Sequence, residues 1–218
     1  MPEPRTLLIS CGALAREVAE LIRANNWRHM TIQCLPARYH MRPERIPEAV
    51  RKKIRAGRDR FDRIFVLYGD CGTGGMLDKV VDEEGAERIE GAHCYEIFAS
   101  RQTFAELMEA EPGSFFLTDF LARHFDRLVI EGLGLDRHPE LLAEYFGGHR
   151  KLVYLAQTRD PGLEQKARAA ARRLNLSFEY RYTGYGGLEA FLKADGVAAT
   201  DECRRRAVER WGRLPAPK

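Results

Sequence analysis

Arg63-Ile64-Phe65-Val66-Leu67-Tyr68-Gly69-Asp70-Cys71-Gly72-Thr73-Gly74-Gly75-Met76 is the stretch on which the fold turns. Its first half, Ile64 to Tyr68, is a compact apolar run that reads as a buried strand. Its second half is a glycine-rich turn with a thiol at the tip. In a parallel α/β sheet, sites form outside the carboxyl ends of strands, and glycines there let backbone N–H groups come close to a ligand. Cys71 is therefore the first candidate for chemistry, with Tyr68 and Asp70 flanking it as candidate catalytic groups that could orient it or a bound ligand, the alternative being that Tyr68 closes the strand and Asp70 caps a turn.

The same arrangement recurs at the amino end, where Thr6-Leu7-Leu8-Ile9-Ser10 runs into Cys11-Gly12. Leu14, Val18, Leu21 and Ile22 then recur at helical spacing, predicting an amphipathic helix over 13–25. Met30 to Leu35 reads as a second strand, stopped at Pro36, and the following loop carries His40, a candidate metal ligand or catalytic acid or base, onto the rim where Cys11 lies. Ile46, Val50 and Ile54 predict a helix, with Pro47 tolerated in its first turn. A helix from about Gly75 and a short strand within 85–89 follow the Cys71 loop, and Cys94 stands at the head of a further helical run.

Downstream, Ser114 to Gly134 reads as a short strand entering a buried helix, and Pro139 to Phe146 as another helix. Lys151 to Leu155 and Leu176 to Tyr180 read as strands joined by a helix that Asp160-Pro161 opens, with an N-cap and a first-turn proline. The crossover is expected to be right-handed. Thr183-Gly184-Tyr185-Gly186-Gly187 is a second glycine-rich loop beyond a strand, ahead of a helix over 188–192. The alternation predicts an α/β, Rossmann-like three-layer sandwich with a mostly parallel sheet. Residues 1–199 are read as one domain, and 200–218 as a solvated C-terminal helix and tail.

Composition narrows the functional classes. The 35 Lys and Arg are spread among 32 Asp and Glu, for a net charge of +3, with no concentrated basic face to suit nucleic acid. Apolar runs of about five residues fall far short of the roughly 20 that span a bilayer, and the amino end lacks the basic and apolar regions of a signal peptide. The expectation is a soluble, cytoplasmic protein. Five cysteines without close pairs do not form a disulfide framework. Walker, GxGxxG and GxSxG motifs are absent, which disfavours an ATPase, a standard dinucleotide enzyme and a serine hydrolase.

Cys11, Cys71 and Cys94 lie too far apart in sequence for zinc-finger spacing, so a metal site would have to be assembled in space. Three thiolates and an imidazole suit zinc or an iron–sulfur cluster. The alternative for each is a small buried apolar residue. Cys34 reads as core filler and Cys203 as a surface thiol. Gly12, Gly69, Gly72, Gly74, Gly75 and Gly186 are the candidates for approach to a cofactor or small anion, the alternative being that they permit tight turns.

The set Cys11-Gly12, His40, Tyr68-Gly69-Asp70-Cys71-Gly72 and Cys94 resembles domain-of-unknown-function family 1638, whose most specific piece is the Tyr-Gly-x-Cys-Gly step. The likeness runs from about Thr6 to Leu192. It implies a site of Cys11, His40, Cys71 and Cys94 holding zinc or, alternatively, an iron–sulfur cluster. It also implies a place in methyl-transfer chemistry, as an enzyme or as an accessory to a methyltransferase or corrinoid protein. One departure is His93 beside Cys94, where an acidic residue is expected.

Overall fold

The computed structural model describes residues 3–195. The strands pair in parallel throughout, in two sheets. The chain parts into two compact units, one made of the residues up to His93 together with those from Leu188 on, the other of Cys94–Gly187. A single domain over residues 1–199 is the expectation from sequence; the α/β, Rossmann-like architecture is found in each unit.

The first unit runs β1 (Thr6–Cys11), α1 (Ala15–Ala24), β2 (Met30–Leu35), α2 (Ile46–Gly57), β3 (Arg63–Leu67), α3 (Met76–Glu83) and β4 (Glu87–Arg88), with strand order β2-β1-β3-β4. Register aligns Ile9 with Val66 and Cys11 with Leu35. Because strand side chains alternate, Leu7, Ile9 and Val66 share one face. There they pack with Ile46, Val50 and Ile54 of α2 and Leu77 and Val81 of α3. Phe65, one step along, faces the other way, meeting Phe191 edge-on at 6.0 Å between ring centroids. Helices thus cover both faces. Burying Ile46, Val50 and Ile54, each at most 1% exposed, contributes about 1.5–3 kcal/mol apiece.

The second unit contains α4 (Cys94–Ala99), α5 (Arg101–Ala110), β5 (Ser114–Thr118), α6 (Asp119–Arg123), α7 (Leu142–Phe146), β6 (Lys151–Ala156), α8 (Pro161–Arg173) and β7 (Ser177–Tyr182), with strand order β5-β6-β7. Leu117, Leu152 and Tyr154 pack with Leu163, Ala167 and Ala171 of α8. Phe116, Val153 and Leu155 take the opposite face, with Tyr95, Phe104 and Leu107. The run expected as one helix after Cys94 is broken at Ser100, whose φ of +72° is left-handed and whose hydroxyl accepts the Thr103 N–H. A final helix, α9 (Gly186–Asp195), begins in this unit and ends in the first. Among the described residues no helix is long and apolar enough to cross a membrane. Cys203 and the expected 200–218 tail lie outside the described residues.

Candidate functional site

With every strand of the first unit parallel, its carboxyl ends form one rim carrying Cys11, Pro36 to Met41, Tyr68 to Gly75 and Gly91 to His93. The Cys71 loop is pinned to the chain beyond β4: the Asp70 and Cys71 N–H groups donate to the carbonyls of Gly91 and Ala92, both at 2.9 Å. Gly69 is required by this close approach, since a Cβ there would stand 3.0 Å from the His93 nitrogen. Arg88 braces the same turn, donating to the carbonyl of Ile89 at 2.8 Å and of Tyr68 at 3.3 Å while pairing with Asp78.

Inside the loop Cys71 has φ of +50°, a left-handed conformation that is uncommon for a residue with a Cβ, and it is buried there. Held strain of this kind clusters at functional sites. Gly72, Gly74 and Gly75 follow with φ of +82°, +62° and +82°. Their glycine identity serves the turn, because a Cβ at Gly74 or Gly75 would meet nothing within 4 Å. The loop's donors are also engaged from within. The Asp70 carboxylate accepts the Thr73 hydroxyl at 2.6 Å and the N–H groups of Gly74 and Gly75 at 3.1 and 2.9 Å. The anion expected at this loop is therefore met first by Asp70 itself, which acts as a fastening.

Tyr68 is the unusual group. It is 2% exposed, and its Oη is enclosed without a hydrogen bond of ordinary geometry. Burial first, and then the neighbouring Cys11, Cys71 and Cys34 sulfurs, push the phenol far above its ordinary value. It is a neutral donor at any physiological pH. Cys11 closes β1 with its sulfur accepting the Ala13 N–H at 3.5 Å. Burial raises its thiol against the opposing pull of Ala13 and Tyr68. Cys71 is pushed up to about 12 by burial, Cys11 and Asp70, with Arg88 and the Gly69 backbone opposing.

Cys34, expected as core filler, is exposed. It stands on β2, the edge strand, one register position before the buried Leu35 and so on the other side of the pleat. It is nevertheless close enough to Cys11 and Tyr68 to be felt by both, a third sulfur that its place in an apolar run concealed. His40 lies on a 3-10 turn, Ala37–Met41, with its ring still reaching solvent; the protein around it and then His93 lower its imidazole. Gly12 lets the turn after β1 pass close to β2, a Cβ there standing 3.0 Å from the Leu35 carbonyl.

Cys94 opens α4 in the second unit. Gly186 is there for packing, because a Cβ would meet the Phe98 carbonyl oxygen at 1.9 Å. Among the described residues no three His, Cys, Asp or Glu side chains stand in metal-ligand geometry. The second unit has its own buried polar cluster at the ends of β5 and β6, Asp119 with Tyr154, Gln157 and Thr158. Sequence reasoning overlooked it; the signal was an acidic residue directly after an apolar strand.

No curated protein and no solved structure matches the chain. A family model matches residues 34–192, a span that takes in His40, Tyr68, Cys71 and Cys94 and begins downstream of Cys11. By that match the chain belongs to the family described as protein of unknown function (DUF1638).

Proposed function

We propose that the rim of the first unit is a soft-metal site, zinc first and an iron–sulfur cluster second, held on the Cys11 and Cys71 thiols and serving a small anionic substrate. The observation that carries the reading is the Tyr68 hydroxyl, an enclosed polar atom without a hydrogen bond of ordinary geometry, set beside the half-buried Cys11 and the buried Cys71 thiols. Buried polar groups are ordinarily satisfied, so this donor set fits a guest that sulfur and a phenol can both serve. Thiolate ligands suit zinc and iron–sulfur chemistry, and His40 on the same rim could supply a nitrogen. A bound cation of this kind supplies Lewis-acid chemistry, polarising a substrate oxygen or activating a thiol or water. The chain's own part is to hold Cys71 in a strained loop fastened by Asp70, and to present Tyr68 as a proton donor in a water-poor setting. A metal-free thiolate nucleophile has less support, because such a site lowers the thiol's pKa and burial here raises it.

Elemental analysis and an absorption spectrum of the full chain, purified anaerobically, test the reading. Zinc gives a colourless protein with bound metal, and a cluster gives a brown one that bleaches on reduction. Cys71→Ser is expected to remove most of the metal and Cys203→Ser to leave it. Substoichiometric metal in the anaerobic preparation would sink the proposal.

A further inference from the structure

Two arginine triads on the first unit share one spacing and differ in one respect. Arg51, Arg55 and Arg58 line a concavity of about 520 Å³ with Asp59, Glu83 and Glu84. Their charge is neutralised there, Glu84 pairing with all three. Arg38, Arg42 and Arg45, also three and four residues apart, line a second concavity of about 350 Å³ with Tyr39 and Met41. Among the described residues no carboxylate lies within ion-pair distance of any of these three guanidiniums.

This second triad comes from two consecutive 3-10 turns, Ala37–Met41 and Pro43–Arg45, directly beyond the carboxyl end of β2. Pro43, between its members, borders the Cys71 loop, its Cγ standing 3.6 Å from where a Cβ on Gly72 would be. Guanidiniums that line one concavity repel one another unless an anion is present, and this triad, without a carboxylate partner among the described residues, stands on the rim where α/β sites form.

We infer that Arg38, Arg42 and Arg45 form a binding site for the phosphoryl group of a small phosphorylated molecule. A phosphate dianion offers three oxygens to three guanidinium forks, whereas a single carboxylate would leave at least one fork unmatched. The concavity exceeds what a phosphate fills and lies at the small end of ligand-site volumes, roughly 300–1,000 Å³. Tyr39 and Met41, the latter 49% exposed, give the rest of the molecule an apolar wall. The inference rests on the proposed function only in naming the class of its anionic substrate; the arginines bind whether or not the thiols hold a metal.

Isothermal titration calorimetry of the full chain with pyrophosphate, inorganic phosphate and acetate tests it. Pyrophosphate is expected to bind saturably, more tightly than phosphate, with acetate weakest and affinity falling as salt rises. Arg42→Ala should weaken pyrophosphate about tenfold or more. Arg42→Lys should fall between, because it keeps the charge and loses the fork, and Arg51→Ala should leave the affinity unchanged. Metal content measured on the same preparations separates the two readings: Arg42→Ala keeps any metal, and Cys71→Ser keeps pyrophosphate binding. The inference is overturned by the absence of saturable pyrophosphate binding, or by equal affinity in the Ala variants of all three arginines. It is likewise overturned if a single-stranded oligonucleotide binds more tightly than pyrophosphate, which would mark a nucleic-acid surface.

Discussion

Asp70 Oδ1 accepts the Gly75 N–H at 2.9 Å, so the carboxylate closes the loop from Asp70 to Gly75 around the strained Cys71. Burial works to raise the Asp70 carboxyl, but the Thr73 hydroxyl and the N–H groups of Gly75, Gly74 and Gly72 together hold it below its ordinary value. A carboxylate depressed in the folded state contributes its stability above the unfolded value, about 4, and loses it as pH falls through the folded one. Asp70→Ala should therefore cost about 1–2 kcal/mol near neutrality and flatten the acid limb of stability below about pH 4. Urea denaturation across pH checks both; an unchanged midpoint and acid limb would mean the loop holds without its carboxylate.

Glu84 is a different kind of carboxylate. Its side chain is 3% exposed and meets Arg51 at 2.9 Å, Arg55 at 2.8 Å and Arg58 besides. Burial would raise it, and the hydrogen bonds from Arg55 and Arg51, with the charge of Arg58, outweigh burial and lower it. Removing one partner of a buried ion group leaves the others uncompensated, so Glu84→Gln is expected to cost about 3 kcal/mol. The melting temperature should fall by several degrees with pyrophosphate affinity intact. A shift of under about one degree would show that Glu83 alone suffices to hold the triad.

The thiols are expected to react in an order that their burial sets. Cys34 is exposed and Cys71 is buried. With Cys71 at about 12, only about one part in ten thousand is thiolate at pH 8, and the thiolate is the reactive form. Timed alkylation of chelator-treated protein, followed by peptide mass spectrometry, should label Cys34 first and Cys71 last among the described cysteines, with the Cys71 rate rising about tenfold per pH unit between pH 8 and 10. Fast labelling of Cys71 at pH 8 would instead identify an activated thiol and favour the metal-free nucleophile.

Much of this was legible in sequence where the signal is local. Met30–Leu35 is found as a strand with the bounds its composition predicts. Asp160 caps α8 as expected, accepting the Gly162 and Leu163 N–H groups at 2.9 and 3.2 Å. What escaped depends on pairing between distant residues. Nothing in Ser114–Thr118 distinguishes a strand that extends the first sheet from one that opens a second, since apolar strands buried on both faces look alike. Cys34 was misplaced because an apolar run does not reveal which of its faces an edge strand leaves open. That Arg38, Arg42 and Arg45 meet no carboxylate among the described residues could not be read at all, because whether an arginine finds a carboxylate is decided across the fold, as Arg51 and Glu84 show at a sequence separation of 33.

The last expectation concerns Asp119, which is fully buried at the ends of β5 and β6. Its oxygens accept the Tyr154 hydroxyl at 2.7 Å, the Gln157 and Thr158 N–H groups at 3.0 Å each, and the Thr158 hydroxyl at 2.5 Å. Every one of these partners donates, and an amide at this position would turn an N–H₂ group toward donors that need an acceptor. Asp119→Asn is therefore expected to cost about 3 kcal/mol despite its similar size. Tyr154→Phe removes one donor and leaves the carboxylate three others, so it should cost about 1 kcal/mol. The double variant tests whether the two belong to one network: in a shared cluster the losses fall short of additivity. Chemical denaturation of the two single variants and the double variant decides it. Were Asp119→Asn no more costly than Tyr154→Phe, the charge would contribute nothing, and the cluster would be an ordinary set of strand-end hydrogen bonds.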